Sequence, residues 1–295
     1  MEALLTLFAL LRETVSAWSG DKSPRLAAAF AYYMLFSLAP LMIILIAIAG
    51  MVFGKEAAQG QLAGQMEQMV GKVSAQSIQE LIASAHRPSS GIIATAIGTV
   101  SMLLGAAAVF GQLQDALDTI WGVEAVRASG IKQFIRDRVL SFAMVLGVGF
   151  LLMVSTVMTI AIGGMTNVVG SYVPVISTLT SLINLFLSFL IVFVLFAMIY
   201  KMLPNLKLKW NDVLGGAGLA AFLFTLGKWI IGLYLSKSGV SSAYGAAGSL
   251  VVLLLWIYYS AQILFFGAEF TKVYAHKFGS YADKSSPSAQ IEIPT

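Results

Sequence analysis

Residues 26–53 read LAAAFAYYMLFSLAPLMIILIAIAGMVF, a run of 28 residues that contains no Asp, Glu, Lys or Arg. About 20 apolar residues in a helix are enough to cross the hydrocarbon core of a bilayer, which is roughly 30 Å thick. The stretch therefore predicts a membrane-spanning helix that is long enough to be tilted, and Pro40 near its middle is the expected position of a kink.

Apolar segments of similar length recur along the chain. They comprise residues 91–111, 139–162, 175–200, 213–235 and 249–268. Hydrophobic residues make up 58% of the sequence and charged residues 11%, whereas soluble domains carry about 25% charged residues. The sequence therefore predicts an all-α membrane protein with six transmembrane helices, and it argues against a water-soluble enzyme.

The positive charges between these segments are sorted to one side. If the chain crosses the membrane six times, 13 of the 18 Lys and Arg residues lie on the side of the two termini. Four lie on the other side, and Lys228 lies within the fifth span. Because cytoplasmic loops carry the excess of Lys and Arg, this bias predicts that both termini lie in the cytoplasm.

Composition excludes several kinds of site. The chain has no cysteine, so it forms no disulfide and has no cysteine nucleophile. Its two histidines, His86 and His276, fall on opposite sides of the predicted topology and cannot share a metal ion. We find no P-loop, H-E-x-x-H or nucleophile-elbow motif. We therefore expect neither an enzyme nor a cofactor, and the cations are better explained as membrane anchors than as a nucleic-acid interface.

The segments outside the spans have their own patterns. Residues 1–22 form an expected amphipathic interfacial helix, 23–275 the membrane domain, and 276–295 a disordered polar tail. Pro24 suits the first turn of the first spanning helix, and Ser23 is its candidate N-cap. The long first loop predicts two short amphipathic helices, which either rest on the outer membrane face or cap an external cavity.

Lys228 is the clearest candidate for a functional residue. On a helix it shares one side with Ala217, Ala221, Thr225 and Gly232, and small residues favour close helix packing over lipid contact. In one interpretation Lys228 faces an internal cavity and binds an anionic group. In the other it extends to the outer headgroups beside Trp229.

Polar residues of two other spans fall at the same predicted depth. The fourth span carries Ser177, Thr180, Ser181, Asn184 and Ser188 on one side, and the third carries Ser155, Thr156 and Thr159. We hypothesise an outward-opening cavity. Its substrate-binding residues would be Lys228, Asn184, Ser181, Ser188, Thr225, Ser155 and Thr159. The alternative is that these side chains hydrogen-bond to neighbouring helices and hold the bundle together.

Acidic residues near the cytoplasmic ends have simpler explanations. Asp115 and Asp118 share a side of an amphipathic helix over residues 112–121, and we expect both to be solvated rather than catalytic. Glu269 ends the sixth span, where Lys272 or Lys201 is its expected partner.

Four motifs resemble the YihY/BrkB family of bacterial inner-membrane proteins over about residues 20–270. They are Ala27–Tyr33 with Ser37 and Pro40; Ala116–Val123; Leu203-Pro204-Asn205 with Trp210, Asp212 and Gly227-Lys228; and Tyr244-Gly245 through Leu254 and Trp256 to Gly267-Ala268-Glu269. Asp118 stands where the family pattern often has Asn.

The resemblance implies six transmembrane helices in a bacterial plasma membrane. Some members have been labelled ribonuclease BN, but two histidines on opposite faces cannot build the metal cluster of such zinc enzymes. We expect a transporter of an anionic lipid or small solute without its own ATPase, with membrane lipids as its surroundings. The alternative is a non-transporting envelope scaffold.

Overall fold

The computed structural model describes residues 2–54, 72–85, 108–123, 174–237 and 248–282, together with isolated positions between 56 and 67. All regular structure in these ranges is helical, which confirms the all-α class for the described part of the chain. The helices are α1 (Glu2–Gly20), α2 (Ser23–Phe53), α3 (Lys72–Ala85), α4 (Pro174–Met202), α5 (Trp210–Lys237) and α6 (Gly248–Lys277). Residues 108–120 add a further helical segment.

Three of the described helices are long and apolar enough to cross a membrane by length and composition. These stretches are Ser23–Ile44 in α2, Leu185–Met202 in α4 and Leu250–Lys277 in α6. α5 extends over the fifth predicted span, while residues 91–107 and 139–162 of the second and third spans lie outside the described residues. The number of six spans and their orientation therefore stay predictions.

Small residues bring α5 and α6 together as antiparallel neighbours. A Cβ atom added to Gly216 would lie 2.5 Å from the carbonyl oxygen of Gly267, and one added to Gly227 would overlap the ring of Tyr259. Ala217, Ala220 and Ala221 are completely buried nearby. Because the backbones approach so closely, these glycines are required despite their low helix propensity.

α4 packs against α5 through aromatic side chains and bonds directly to α6. Phe196 lies edge-on to Phe224 at 6.0 Å between ring centroids. The buried Tyr200 hydroxyl donates a hydrogen bond of 2.8 Å to the carbonyl oxygen of Leu264. This bond satisfies a polar group that would be costly to bury unpaired. The three helices thus form the central layer of the described structure.

α2 and α3 cover the other side of α6. Phe30 of α2 contacts Phe265 at 6.0 Å between ring centroids. Ile78 of α3 is buried in a cluster with Leu38, Leu253 and Ile257. α3 confirms the second of the two helices predicted in the first loop, and its buried side packs against α2 and α6. The first of those two helices falls largely outside the described residues.

The junction between α1 and α2 differs from the sequence interpretation. Lys22, with a φ of 56°, occupies the N-cap position of α2. Pro24 lies in the first turn, as predicted. Ser23 is completely buried, and its hydroxyl donates to Glu269 rather than capping the helix. The prediction of Ser23 as the N-cap was wrong because a distant carboxylate binds its side chain.

The start of the predicted disordered tail also needs correction. α6 continues to Lys277, and the next residues return to the bundle. Ser280 donates its backbone N–H to Asp212, and the Tyr281 ring lies 6.1 Å from that of Trp121. These contacts fix Ser280 and Tyr281 against the bundle, whereas residues 276–278 are exposed. Residues 283–295 lie outside the described part of the chain.

Candidate functional site

Lys228 lies about 27 Å along α5 from Trp210, at 1.5 Å per residue. Its side chain is half-buried. It lies on the side of α5 that carries Ala217 and Ala221, both completely buried. The side chain therefore starts from the protein-facing side of α5.

The other predicted substrate-binding residues are placed less completely. Thr225 is half-buried, and its hydroxyl donates to the Ala221 carbonyl oxygen one turn earlier at 2.8 Å. Ser188 is exposed on α4. Ser181 and Asn184 lie on α4, but their side chains are not described, and Ser155 and Thr159 fall outside the described residues. The predicted outward cavity therefore stays a hypothesis.

The described structure places its buried acidic groups near the start of α5, at the end opposite to Lys228. α1, the 203–209 turn and the C-terminal end of α6 meet in one region. We call this region the polar end. Glu269, completely buried there, accepts a 3.0 Å hydrogen bond from the Ser23 hydroxyl. Its second carboxylate oxygen lies 3.7 Å from the Lys272 ammonium, which also forms an ion pair with Asp21.

The predicted choice of partner for Glu269 is thereby resolved in favour of Lys272. Lys201, the other candidate, instead donates to the carbonyl oxygen of Leu208. Its ammonium also lies 5.9 Å from the centre of the Trp210 ring. The Lys201 charge is therefore held at the turn before α5, away from the buried carboxylate.

Asp118 is a second buried acid of the polar end. It is only 8% exposed, whereas Asp115, one turn earlier, is exposed. The Asp118 carboxylate accepts hydrogen bonds from the Asn205 backbone N–H at 2.8 Å and the Asn205 amide at 2.7 Å. The expectation of a solvated Asp118 was wrong, because Asn205 of the 203–209 turn covers it.

This pair of aspartates offers a direct test. We expect Asp118→Ala to lower the free energy of unfolding by about 1–3 kcal/mol, because two donors on Asn205 lose their buried acceptor. Asp115→Ala should change it by less than about 0.5 kcal/mol, as is typical of exposed positions. Thermal unfolding of both variants in detergent micelles makes the comparison. Equal losses would contradict the role assigned to Asp118.

Asp212 forms the third buried acidic group, at the start of α5. It is 2% exposed, and its carboxylate accepts backbone hydrogen bonds of 3.1 Å from Lys209 and from Ser280. The Ser280 hydroxyl donates to it as well. A carboxylate in the first turn is also favoured by the helix dipole. This site holds the returning chain after α6 against the start of α5.

The buried groups of the polar end have fixed partners and hold distant segments of the chain together. Its hydrogen bonds and ion pairs join segments distant in sequence, and no described group of three or more His, Asp and Glu residues is suited to hold a metal ion. His276, Trp121 and Tyr281 form an aromatic cluster with ring separations of 5.7–6.1 Å. Among the described residues, Lys228 is the predicted site residue with a charge suited to binding an anion.

The family model described as Virulence factor BrkB matches residues 14–292, which is nearly the whole chain. The chain belongs to this family. The match confirms the resemblance predicted from the four sequence motifs and extends it at both ends.

Curated relatives of the chain are named UPF0761 membrane proteins. One from Photobacterium profundum is 28% identical over 257 residues, covering 85% of this chain and 76% of the relative. One from Chromohalobacter salexigens is 26% identical over 262 residues, covering 88% and 61%. A shorter match to a Tolumonas auensis protein is 40% identical over 74 residues, covering 25% and 24%. No solved structure matches the chain significantly.

Several of these relatives are longer than the region they share with this chain. The match covers 61% of the Chromohalobacter protein and 48% of a relative from Psychrobacter. The shared region is a helical membrane protein of the BrkB family. Its transport activity, substrates and partners are proposals.

Proposed function

We propose that the chain moves an anionic lipid or small anionic solute across the bacterial plasma membrane without an ATPase of its own. The observation that supports this proposal is the half-buried Lys228, on the protein-facing side of α5. A cation within an apolar span is costly, and such residues commonly mark the path of an ion or substrate. An ammonium group is also a suitable point-charge partner for phosphate.

The proposed orientation has both termini in the cytoplasm. Its support is the sorting of 13 cations to one side and four to the other. The structure places α1 beside the end of α6, through the ion pair of Glu13 and Lys277 at 2.6 Å. This arrangement is compatible with an even number of spans. Lys228 would then lie in the half of the membrane nearer the outer face.

A lipid-translocation assay tests the proposal. Protein in liposomes should accelerate the transfer of a fluorescent phosphatidylglycerol between leaflets. The transfer is measured by chemically reducing the dye that reaches the outer leaflet. Lys228→Met should slow this transfer at least about tenfold, equivalent to a loss of roughly 1.4 kcal/mol. Lys207→Met, an exposed change at the polar end, is the control and should leave the rate unchanged.

The result for Lys228→Cys shows whether residue 228 lies in a polar path that opens to the outside. A membrane-impermeant thiol reagent added from outside should modify this cysteine, since the native chain has none of its own. Wild-type transfer rates in the Lys228→Met variant, together with an unreactive Lys228→Cys, would contradict the proposal.

The alternative function is a non-transporting envelope scaffold. The observation that favours it is the close approach of α5 and α6 at Gly216 and Gly267, which suits a rigid unit. The hydroxyl of Thr225 is also satisfied within its own helix, so it does not require a polar path. A scaffold predicts no acceleration of phosphatidylglycerol or solute transfer in the same liposomes.

A further inference from the structure

From Phe8 onward, α1 presents three different sides to its surroundings. Leu10 and Thr14 are buried on the first side, which faces the bundle. Phe8, which is 70% exposed, and Val15, which is 53% exposed, lie on the second, apolar side. The third side carries Arg12 and Ser16, both exposed. We call the second side, with the half-buried Leu11 between Phe8 and Val15, the apolar stripe.

The angles between these sides suit a helix that lies flat on a bilayer. Each residue advances about 100° around a helix axis, so the apolar stripe is centred about a third of a turn from Leu10 and Thr14. Arg12 and Ser16 lie roughly a quarter of a turn beyond the stripe. A helix on a membrane surface beside an emerging transmembrane helix needs this order: protein on one side, lipid below and water above.

Polar contacts fix the rotation of α1 about its axis. Glu13 forms an ion pair of 2.6 Å with Lys277 near the end of α6. Asp21, directly after α1, pairs with Lys272 of the same helix. With Ser23 bonded to Glu269, α1 and its connection to α2 are held at three points along α6. The apolar stripe cannot turn toward the bundle without breaking these contacts.

The connection to α2 determines what the stripe meets. Two residues, Asp21 and Lys22, separate α1 from α2, and the apolar stretch of α2 begins at once with Ser23–Ile44. α1 therefore lies where a membrane-spanning helix enters the bilayer. Apolar side chains exposed at that level are next to the lipid that surrounds α2.

We propose that α1 is a membrane-surface helix whose apolar stripe inserts into the phospholipid leaflet beside the polar end. Helices of this kind bury their apolar side about 5–10 Å into the boundary between headgroups and acyl chains. The partner is the bilayer itself rather than a second copy of the chain. Through its contacts with Lys272 and Lys277, α1 would link the end of α6 to the position of that leaflet.

Neighbouring single-cysteine variants test this proposal in the full-length protein. The native sequence has no cysteine, so Val15→Cys and Ser16→Cys can each be labelled with bimane and reconstituted into phosphatidylethanolamine–phosphatidylglycerol vesicles. Iodide on both sides of the vesicle should quench the label at position 16 about fivefold more strongly than at position 15. A quencher attached to the lipid chains should show the reverse order, and Phe8→Cys should behave like Val15→Cys.

Two results would overturn the proposal. Equal iodide quenching of the Val15→Cys and Ser16→Cys labels would show that the stripe faces water. Shielding of the Val15→Cys label that grows with protein density, together with disulfide-linked dimers of the unlabelled variant, would show that a second copy covers it. Because these substitutions are at exposed positions and the readout needs no transport, the outcome is independent of the proposed function.

Discussion

Replacing Gly216 by alanine should lower the free energy of unfolding by about 3 kcal/mol or more, the upper end of the usual cost of overpacking. The new Cβ atom would lie 2.5 Å from the Gly267 carbonyl oxygen and 3.1 Å from the Thr271 Cβ, and it would overlap the Thr271 hydroxyl. A backbone oxygen cannot move aside as a flexible side chain can. α5 and α6 would therefore have to separate, which would loosen the central layer.

Gly218→Ala is the matched control on the same helix. A Cβ atom there would lie 3.8 Å from the nearest Phe193 ring atom, an ordinary contact. This variant should be neutral or slightly stabilising, by up to about 1 kcal/mol, because alanine has the higher helix propensity. Thermal unfolding of both variants in one detergent makes the measurement.

A double variant identifies the origin of the loss. Thr271→Ala combined with Gly216→Ala removes the overlap with the threonine hydroxyl but leaves the contacts with the Gly267 oxygen and with the Cβ atom of residue 271. We therefore expect partial recovery. Full recovery would assign the cost to Thr271 alone, and equal stability of Gly216→Ala and Gly218→Ala would refute the close packing of α5 and α6.

The lengths and positions of the long helices were predictable from the sequence because the bilayer imposes them. An apolar run of 20 residues or more has few alternatives to a helix in lipid, where each backbone polar group must be satisfied within its own segment. The predicted segments 26–53, 175–200, 213–235 and 249–268 accordingly lie within or coincide with α2, α4, α5 and α6. The observed helices extend beyond most of the predicted ends, since hydropathy does not detect polar contacts beyond the apolar run.

The polar end was less predictable because its contacts join residues far apart in the chain. Ser23 and Glu269 are separated by 246 positions, and Asp118 and Asn205 by 87. Helical periodicity places Asp118 beside Asp115 but does not show that a distant turn covers only one of them. The signal present was indirect: Asn205 and Asp118 both belong to the motifs that carry the family resemblance.

The side of α5 that Lys228 shares with Ala217 and Ala221 was predictable for a different reason. The spacing of Lys228 from Ala217 and Ala221 depends on α5 alone, and both alanines are buried. The outward cavity requires the relative placement of several spans, which a single sequence does not provide. The side on which Lys228 lies therefore follows from one helix, whereas the cavity depends on how several helices are placed.

At pH 9, Lys272→Met should lower the free energy of unfolding by about 2–3 kcal/mol, because removing one partner leaves a buried charge uncompensated. Glu269 is completely buried, and Lys272 is the described cation that faces it. The same ammonium pairs with Asp21, so the substitution leaves two carboxylates close together without their shared cation. Lys277→Met is the control: Lys277 pairs with Glu13, whose side chain is 51% exposed, and such surface pairs contribute less than about 1 kcal/mol.

The double variant Glu269→Gln with Lys272→Met separates lost charge compensation from lost packing. Glutamine is nearly the size of glutamate and can still accept the hydrogen bond from the Ser23 hydroxyl, but it carries no charge to bury. If the cost of Lys272→Met is electrostatic, the double variant should regain more than about 1 kcal/mol of that loss, the scale of coupling between directly interacting residues. A double variant as unstable as Lys272→Met would show that the lysine stem, rather than its charge, holds α6 against the start of α2. Chemical unfolding in mixed micelles at one pH measures all four proteins on the same scale.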